Sequence, residues 1–505
     1  MASRYPVSLV WLRRDLRLDD HVALFHAARR SDRVVCAFVL DPPLLRGSRV
    51  GAPIVQFFFD SLRVLRKRLR ALGSDLALLE GDFAGELIAL ARRTNAGAVF
   101  YNADYDPSAI ARDLQVTQRL RNAGFDVHAF TDHVYFGADD VVQDSGKPYT
   151  VYTPYRRRWN ARFETAPHPP VPSEAAARDK VLPREAIGAT REIPRPEDFG
   201  HASSAAYPRA GLTDAHSLLQ QFLDSGATDY AGARNIPALP GTSRLSPHLR
   251  AGTIGIRTVV HAAARLRDRA AQHDGAREAH RCAYNIEAWL GELVWRDFYQ
   301  QLLAHHPRVA HEPFAEAAKE IAYAHDPAGY AAWCDGRTGY PIVDAAMIQL
   351  NTMGWMHNRL RMIVASFLTK HLLTDYHDGE RYFEQHLADA DLAANNGGWQ
   401  WSASTGTDAA PYFRVFNPTL QGKTFDPDGT FVRAMIPALR NLPPKYVHEP
   451  WKLAPLLQAE LGCVIGRHYP APIVDHAFAR QRALDVYGAA MSKMRRRDGG
   501  PLSRS

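Results

Sequence analysis

Apolar residues fall in short unbroken runs through the first quarter of the chain, then at three- and four-residue intervals through most of the remainder. "SLVWL" (8–12), "RVVCAFVLD" (33–41), "DLALLEGD" (75–82), "AGAVFYNAD" (96–104) and "FDVHAFTDHVYF" (125–136) read as buried strands. Helical periodicity occupies 20–30, 53–72, 84–95 and 107–123 between them. This alternation predicts a doubly wound α/β domain, with a parallel five-stranded sheet, over residues 1–135. Its first turn, "WLRRDLRLDDH", contains no glycine, so the dinucleotide fingerprint of a nicotinamide-binding sheet is missing.

From about residue 160 the pattern dissolves into "FETAPHPPVPSEAAARDKVLPREAIGATREIPRPEDFG", rich in proline, alanine and charge. That composition predicts a long connector, assigned to 136–210. Beyond it, "DAHSLLQQFL", "IGIRTVVHAAARLRDRAA", "NIEAWLGELVWRDFYQQLLAHH", "VDAAMIQLNTM", "RLRMIVASFLTKHLL" and "RYFEQHL" all carry helical periodicity. The expectation is an all-α domain over 211–490 and a short basic tail over 491–505.

Composition narrows the class. The 505 residues, 46% hydrophobic, can bury more than one core. The balance of 61 basic against 54 acidic residues, a net +7, suits a polyanionic partner as well as a merely basic enzyme. Cys36, Cys282, Cys334 and Cys463 form no CxxC pair, which argues against a zinc knuckle or disulfide framework. No leader-like start and no apolar run near the ~18 residues of a membrane span is present, so a cytoplasmic protein is expected.

Three stretches carry unusual chemistry. In "AWLGELVWRDFYQQL", Trp289, Glu292, Arg296 and Tyr299 share one helical stripe, with Trp295 flanking. Trp355, Asn358 and Met362 line up in "GWMHNRLRM", with Arg359 beside them. Packed aromatics with locally paired charges account for most such stripes. "GTSRLSPHL" offers the hydroxyls of Thr242, Ser243 and Ser246, the Arg244 guanidinium and the permissive Gly241, a set suited to phosphate or to a helix cap. No HExxH, Walker A or GxSxG motif occurs, and neither His305, His306 nor His357 has the clustered carboxylate or cysteine of a metal site.

"VWLRRDLRLDDH", "GTSRLSPHLRAG", "ELVWRDFYQ", "GYPIVDAAMIQLNTMGWMHNRLRM" and "DLAANNGGWQWSASTGTDAAPYFRVFNPTLQGKTFD" together resemble the photolyase and cryptochrome family, most closely the bacterial class I enzymes that repair cyclobutane pyrimidine dimers. The similarity runs from about residue 7 to beyond 440.

The resemblance implies a helical domain that holds FAD, in its reduced form for catalysis. It places Tyr230, Thr242, Ser243, Arg244, Leu245, Ser246, Trp289, Arg361, Asp389, Ala390, Asp391 and Asn395 against the cofactor. Asn395 is expected at flavin N5 and Arg361 as partner of Asp389, while Gly397 and Gly398 let neighbouring backbone approach. Asp391, Asn395 and Trp399 recur at four-residue spacing and share a face if their segment is helical.

On the substrate side the resemblance implies DNA, with Glu292, Trp295, Tyr299, Asn358, Arg359, Met362 and Trp401 around a flipped-out dimer. Arg234, Arg296, Arg359, Arg414 and Gln421 are expected at phosphates and the pocket rim. Trp401, two positions from Trp399, should face another side of its helix. Glu292 would support the radical anion that excited reduced flavin creates.

One departure stands out. Where the family relays electrons to flavin through three tryptophans, this chain has Trp399, then Tyr376 and Tyr323. The antenna chromophore expected in the α/β domain is a folate ahead of a deazaflavin, with Asp106 as its carboxylate contact. The competing reading is a cryptochrome-type blue-light receptor signalling to a protein. The polar pocket residues, and a chain that ends soon after the helical region, favour a repair enzyme, and a monomer is expected.

Overall fold

Strand β1 (Tyr5–Leu12) is apolar on both faces: Val7, Leu9 and Trp11 pack into one core, and Tyr5, Val10 and Leu12 into the other. A strand buried on both sides belongs at the centre of a parallel sheet covered by helices. In the computed structural model, which describes residues 4–272 and 276–497, β1 is the middle strand. It is joined by β2 (Ser31–Leu40), β3 (Ala77–Glu80), β4 (Ala96–Asn102) and β5 (Asp126–Phe130) in the order β3-β2-β1-β4-β5, all parallel.

Helices α1 (Val22–Arg30), α2 (Ala52–Ala71), α3 (Phe83–Arg93) and α4 (Pro107–Asn122) fill the crossovers. Their starts are written in the sequence: His21, Asp82 and Asp106 each accept a backbone N–H of the first turn of α1, α3 and α4. All five predicted strands and all four helices are present. β5 stops at Phe130, short of the predicted run, because Asp132 leaves the ladder to pair with Arg17 at 2.6 Å.

The 136–210 segment departs most from expectation. It contains α5 (Tyr152–Thr165), whose Tyr152, Tyr155, Trp159 and Phe163 enter a helical core, and Val181 bridges to Val34 beside the sheet. Aromatic anchors four residues apart hold this stretch down despite its proline content.

The chain divides into two compact units. The first comprises Met1–Tyr230, Ser243–Pro307 and Ala388–Ala393; the second comprises Ala231–Thr242, Arg308–Leu387 and Ala394–Ser505. The first carries the sheet and α6 (Ser246–Ala251), α7 (Ile256–Ala271) and α8 (Ala276–His305). The second carries α9 (Pro341–Met353), α10 (Asn358–Ser366), α11 (Tyr376–His386) and α13 (Pro418–Phe425). Helix α12 (Leu392–Ala403) begins in the first and continues in the second. Of the expected tail, residues 498–505 lie outside the described residues.

Candidate functional site

The "GTSRLSPHL" stretch, which belongs to the first unit from Ser243 onward, bends sharply at Arg244, a non-glycine residue with φ of 52°. Such backbone strain clusters at functional sites. Thr242 and Ser243 are half-exposed, Arg244 and Ser246 exposed, while Leu245 is buried beneath them. Gly241 is required locally, since an added Cβ would stand 2.6 Å from the Ala233 carbonyl oxygen. Tyr230 is buried in ring contact with Phe222, which also packs on Trp289 at 4.7 Å between centroids.

The α8 stripe splits. Trp289 is buried in the core and Glu292 is half-buried. Trp295 stacks on Tyr152 with centroids 3.6 Å apart and planes 9° apart, and Tyr299 flanks it at 5.4 Å. Tyr152 is therefore a support the sequence reading missed, because it lies in the supposed connector. Arg296 corrects a prediction: its guanidinium donates to the His133 carbonyl at 2.5 Å and meets the His133 ring at 2.8 Å. A guanidinium spent this way does not serve as a phosphate clamp at a rim.

Asp391 is also corrected in part. Helix α12 starts at Leu392, so Asp391 precedes the helical face that Asn395 and Trp399 share. Its carboxylate pairs with Arg14 and accepts from Gln300 at 2.8 Å, with His133 3.6 Å away. Burial alone would raise its pKa, but Arg14, His133 and Arg296 outweigh that and hold it well below the usual carboxylate range. Burial, then Arg296 and Arg14, press His133 down to about 4, so it is neutral at pH 7. The neighbouring Ala390 carbonyl accepts from Arg250 at 2.9 Å.

In the second unit, Asn395 donates to the Glu380 carbonyl at 3.0 Å. Trp399 is 2% exposed, in ring contact with Phe383 at 5.0 Å and Trp333 at 6.1 Å, and its Nε1 is a buried donor without an acceptor. Gly379 of α11 makes room for it: a Cβ there would come 2.1 Å from the indole. Trp401 is half-exposed, so the two tryptophans do face different sides of α12. At Gly398 an added Cβ meets nothing within 4 Å, so no neighbouring backbone approaches there, contrary to the expected reason for that glycine.

Arg361 donates to the Met356 carbonyl at 2.9 Å. Asn358 is exposed at the start of α10 and Met362 half-exposed one turn on. Arg359 is held by Asn235 Oδ1 at 2.8 Å and lies over Phe425 at 4.4 Å. Burial lowers its pKa, and Arg234 and Arg414 lower it further, so three of the predicted phosphate-binding cations repel one another in one place. Asn235 and Phe425 escaped the sequence reading; adjacency to Arg234 was the signal for the first. Gln421, on α13, carries a buried Oε1 without a donor.

Tyr376 is buried, its ring stacked on His377 at 4.0 Å and its hydroxyl without a partner. Burial, then Glu380 and Tyr323, push its pKa far above the ordinary phenol value. Tyr323 packs beside Tyr487 and is likewise pushed up by burial and Asp375. In the first unit, Asp106 caps α4, accepting from Ser108 N at 2.8 Å and Ser108 Oγ at 2.6 Å. Helix capping by itself accounts for a carboxylate at that position. Among the described residues no cluster could hold a metal ion and no helix is long and apolar enough to cross a membrane.

Comparison with known proteins gives two family matches: DNA photolyase over residues 8–174, and the FAD binding domain of DNA photolyase over residues 289–489. A deoxyribodipyrimidine photo-lyase of Halobacterium salinarum is 42% identical, the alignment covering 96% of this chain and 99% of the relative. The crystal structure of a bacterial class III photolyase from Agrobacterium tumefaciens superposes with a TM-score of 0.86 at 36% identity, covering 97% of this chain and 98% of that one. A Synechocystis cryptochrome superposes with a TM-score of 0.83 at 26% identity, covering 96% of this chain and 100% of the other.

Proposed function

This chain belongs to the DNA photolyase family, and from that membership we propose that it is a deoxyribodipyrimidine photo-lyase, repairing cyclobutane pyrimidine dimers in DNA with light. The observation in the molecule that carries the reading is the cluster of Arg234, Arg359 and Arg414. Cations gathered against their own repulsion are relieved by a polyanion. Half-exposed Trp401 and exposed Asn358 on the same unit offer base-directed surface.

The residues fit a flavin dinucleotide. The half-exposed hydroxyls of Thr242 and Ser243 and the exposed Arg244 and Ser246 suit its pyrophosphate, the open side of Gly398 leaves room for a ring, and the orphaned Trp399 donor wants an acceptor. Tyr230, Leu245, Trp289, Arg361, Asp389, Ala390, Asp391 and Asn395 complete the proposed holding set, with Asp391 acting through backbone and placement because its carboxylate is taken. The cofactor, when bound and reduced, supplies the excited-state electron that opens the dimer and takes that electron back. Asn395 would serve the cofactor ring, Glu292 would donate or accept hydrogen bonds at the extruded bases, and Trp295, Tyr299, Met362 and Trp401 would exclude water around them. Arg234, Arg359, Arg414 and Gln421 hold the strand.

Reduction of the cofactor by way of Trp399, Tyr376 and Tyr323 would require each tyrosine to release a proton. The buried, partnerless hydroxyl of Tyr376 gives that proton no acceptor. For the antenna we propose a folate with Asp106 among its contacts, and we place the enzyme in the cytoplasm as a monomer. The decisive experiment is repair of a defined dimer in a short oligonucleotide by chemically reduced holoenzyme, light against dark. Repair only in light supports the assignment; flavin-loaded protein that leaves the dimer intact favours a receptor.

A further inference from the structure

The "WLRRDLRLDDH" turn after β1 carries no role in the reaction described above, yet nearly every charge in it is committed. Arg13 pairs with Asp113 at 2.7 Å, Asp15 with His21 at 3.0 Å, Arg17 with Asp132 at 2.6 Å and Asp20 with Arg257 at 2.9 Å. Arg14 differs from these. Its guanidinium pairs with Asp391, meets Asp104 at 3.3 Å and the His133 ring at 3.0 Å, and its Nε donates to the Arg250 carbonyl at 3.3 Å. The turn is also pressed onto the end of α6: Leu16 donates to the Ala251 carbonyl at 3.2 Å, and a Cβ on Gly252 would stand 2.1 Å from the Arg14 carbonyl oxygen.

One arginine thus touches the segment 389–391 and, at Arg250, the helix that follows the 242–246 stretch. The same segment is gripped a second time by Arg250 at the Ala390 carbonyl, and Ala388–Ala393 groups with the sheet-bearing unit although it leads into α12. We propose that Arg14 is a positioning residue for the flavin, fixing the backbone of 389–391 through the buried Asp391 carboxylate. The proposal rests on the reading that 242–246 and 389–391 hold flavin. Without Arg14, Asp391 loses its direct ion pair and keeps the hydrogen bond from Gln300 and the charges of Arg296 and Arg250, so the buried carboxylate and its segment are held less firmly.

The test compares holoenzymes. Flavin release, followed by the fluorescence of freed cofactor in moderate denaturant, is measured for Arg14→Gln, Arg14→Lys and Arg257→Gln. Arg257 is a more deeply buried guanidinium paired with Asp20 and Asp132 and remote in role from 389–391, so its loss reports generic destabilisation. Arg14→Gln should release flavin about tenfold faster than Arg257→Gln at matched distance below each melting point, the order expected for losing one charge-assisted hydrogen bond. Arg14→Lys, which keeps the charge and folds more readily, should fall between it and wild type. Equal release from Arg14→Gln and Arg257→Gln, or wild-type release from Arg14→Lys, overturns the proposal while leaving the repair reading intact. Wild-type protein that holds no flavin overturns the reading itself.

Discussion

Two arginine-rich places in this molecule look alike in sequence and differ in what surrounds them. In the turn after β1, Arg13, Arg14 and Arg17, joined by Arg257 from α7, are each matched by a buried carboxylate. Around α10, Arg234, Arg359 and Arg414 are close enough to depress Arg359, which leans on a neutral amide and a ring. Cations that are neutralised within the fold hold the fold. Cations gathered beside like charge favour an anionic ligand, whereas Arg296, bonded to His133 with Asp391 and Asp297 nearby, falls with the first group.

The largest effect should come from breaking the first place. Arg257→Ala removes the guanidinium partner of Asp20 and leaves Asp132 to Arg17, and should cost about 3–5 kcal/mol of stability, read from denaturant midpoints, with dimer affinity of the folded fraction unchanged. A loss below about 1 kcal/mol would mean these pairs behave as if solvated.

Acid should also single out that place. His133 binds a proton more weakly in the fold, at about 4, than its ordinary 6.5. Its contribution is therefore complete above pH 6.5 and is lost as pH falls toward 4, on the order of 3 kcal/mol. His133→Gln should flatten the fall in melting temperature between those limits, and an unchanged slope would remove His133 from the network's titration.

Breaking the second place should leave stability nearly untouched. Arg359→Ala should weaken binding to damaged and undamaged DNA alike by about 1–2 kcal/mol and reduce the salt slope by roughly 1, as for a single phosphate contact. Arg296→Ala should instead lower stability and spare the salt slope. If the two variants exchange these phenotypes, the comparison fails.

The smallest effect concerns cofactor reduction. Tyr376→Phe removes a hydroxyl that has no partner and should leave light-driven flavin reduction by external thiol unchanged. Trp333→Phe, which removes the ring 6.1 Å from Trp399, should slow it severalfold. Repair by chemically reduced enzyme should survive both.

Most of the fold was legible because burial on two faces writes continuous apolar strands and the helices between them carry a three- to four-residue apolar period. The supposed connector was not, since its proline-rich composition concealed Tyr155, Trp159 and Phe163, which anchor α5 in a core. Site residues were legible as types in motifs, but their partners were not. Arg296 meets His133 at a separation of 163 residues, and Asp391 meets Arg14 at 377, distances over which periodicity carries no information.

The Arg14 to Asp391 pair bears on modularity. Chain order suggests a sheet domain that ends near residue 135 and a catalytic domain that follows. A fragment starting at 211 would retain Asp391 and lose Arg14 and His133, two of the groups that keep its carboxylate charged in a dry interior. The sheet-bearing part is then not a detachable antenna mount. Recombining it with the helical part of a distant relative should succeed only when the residue at position 14 travels with the residue at 391, so the two would be inherited as a unit although nearly the whole sequence separates them.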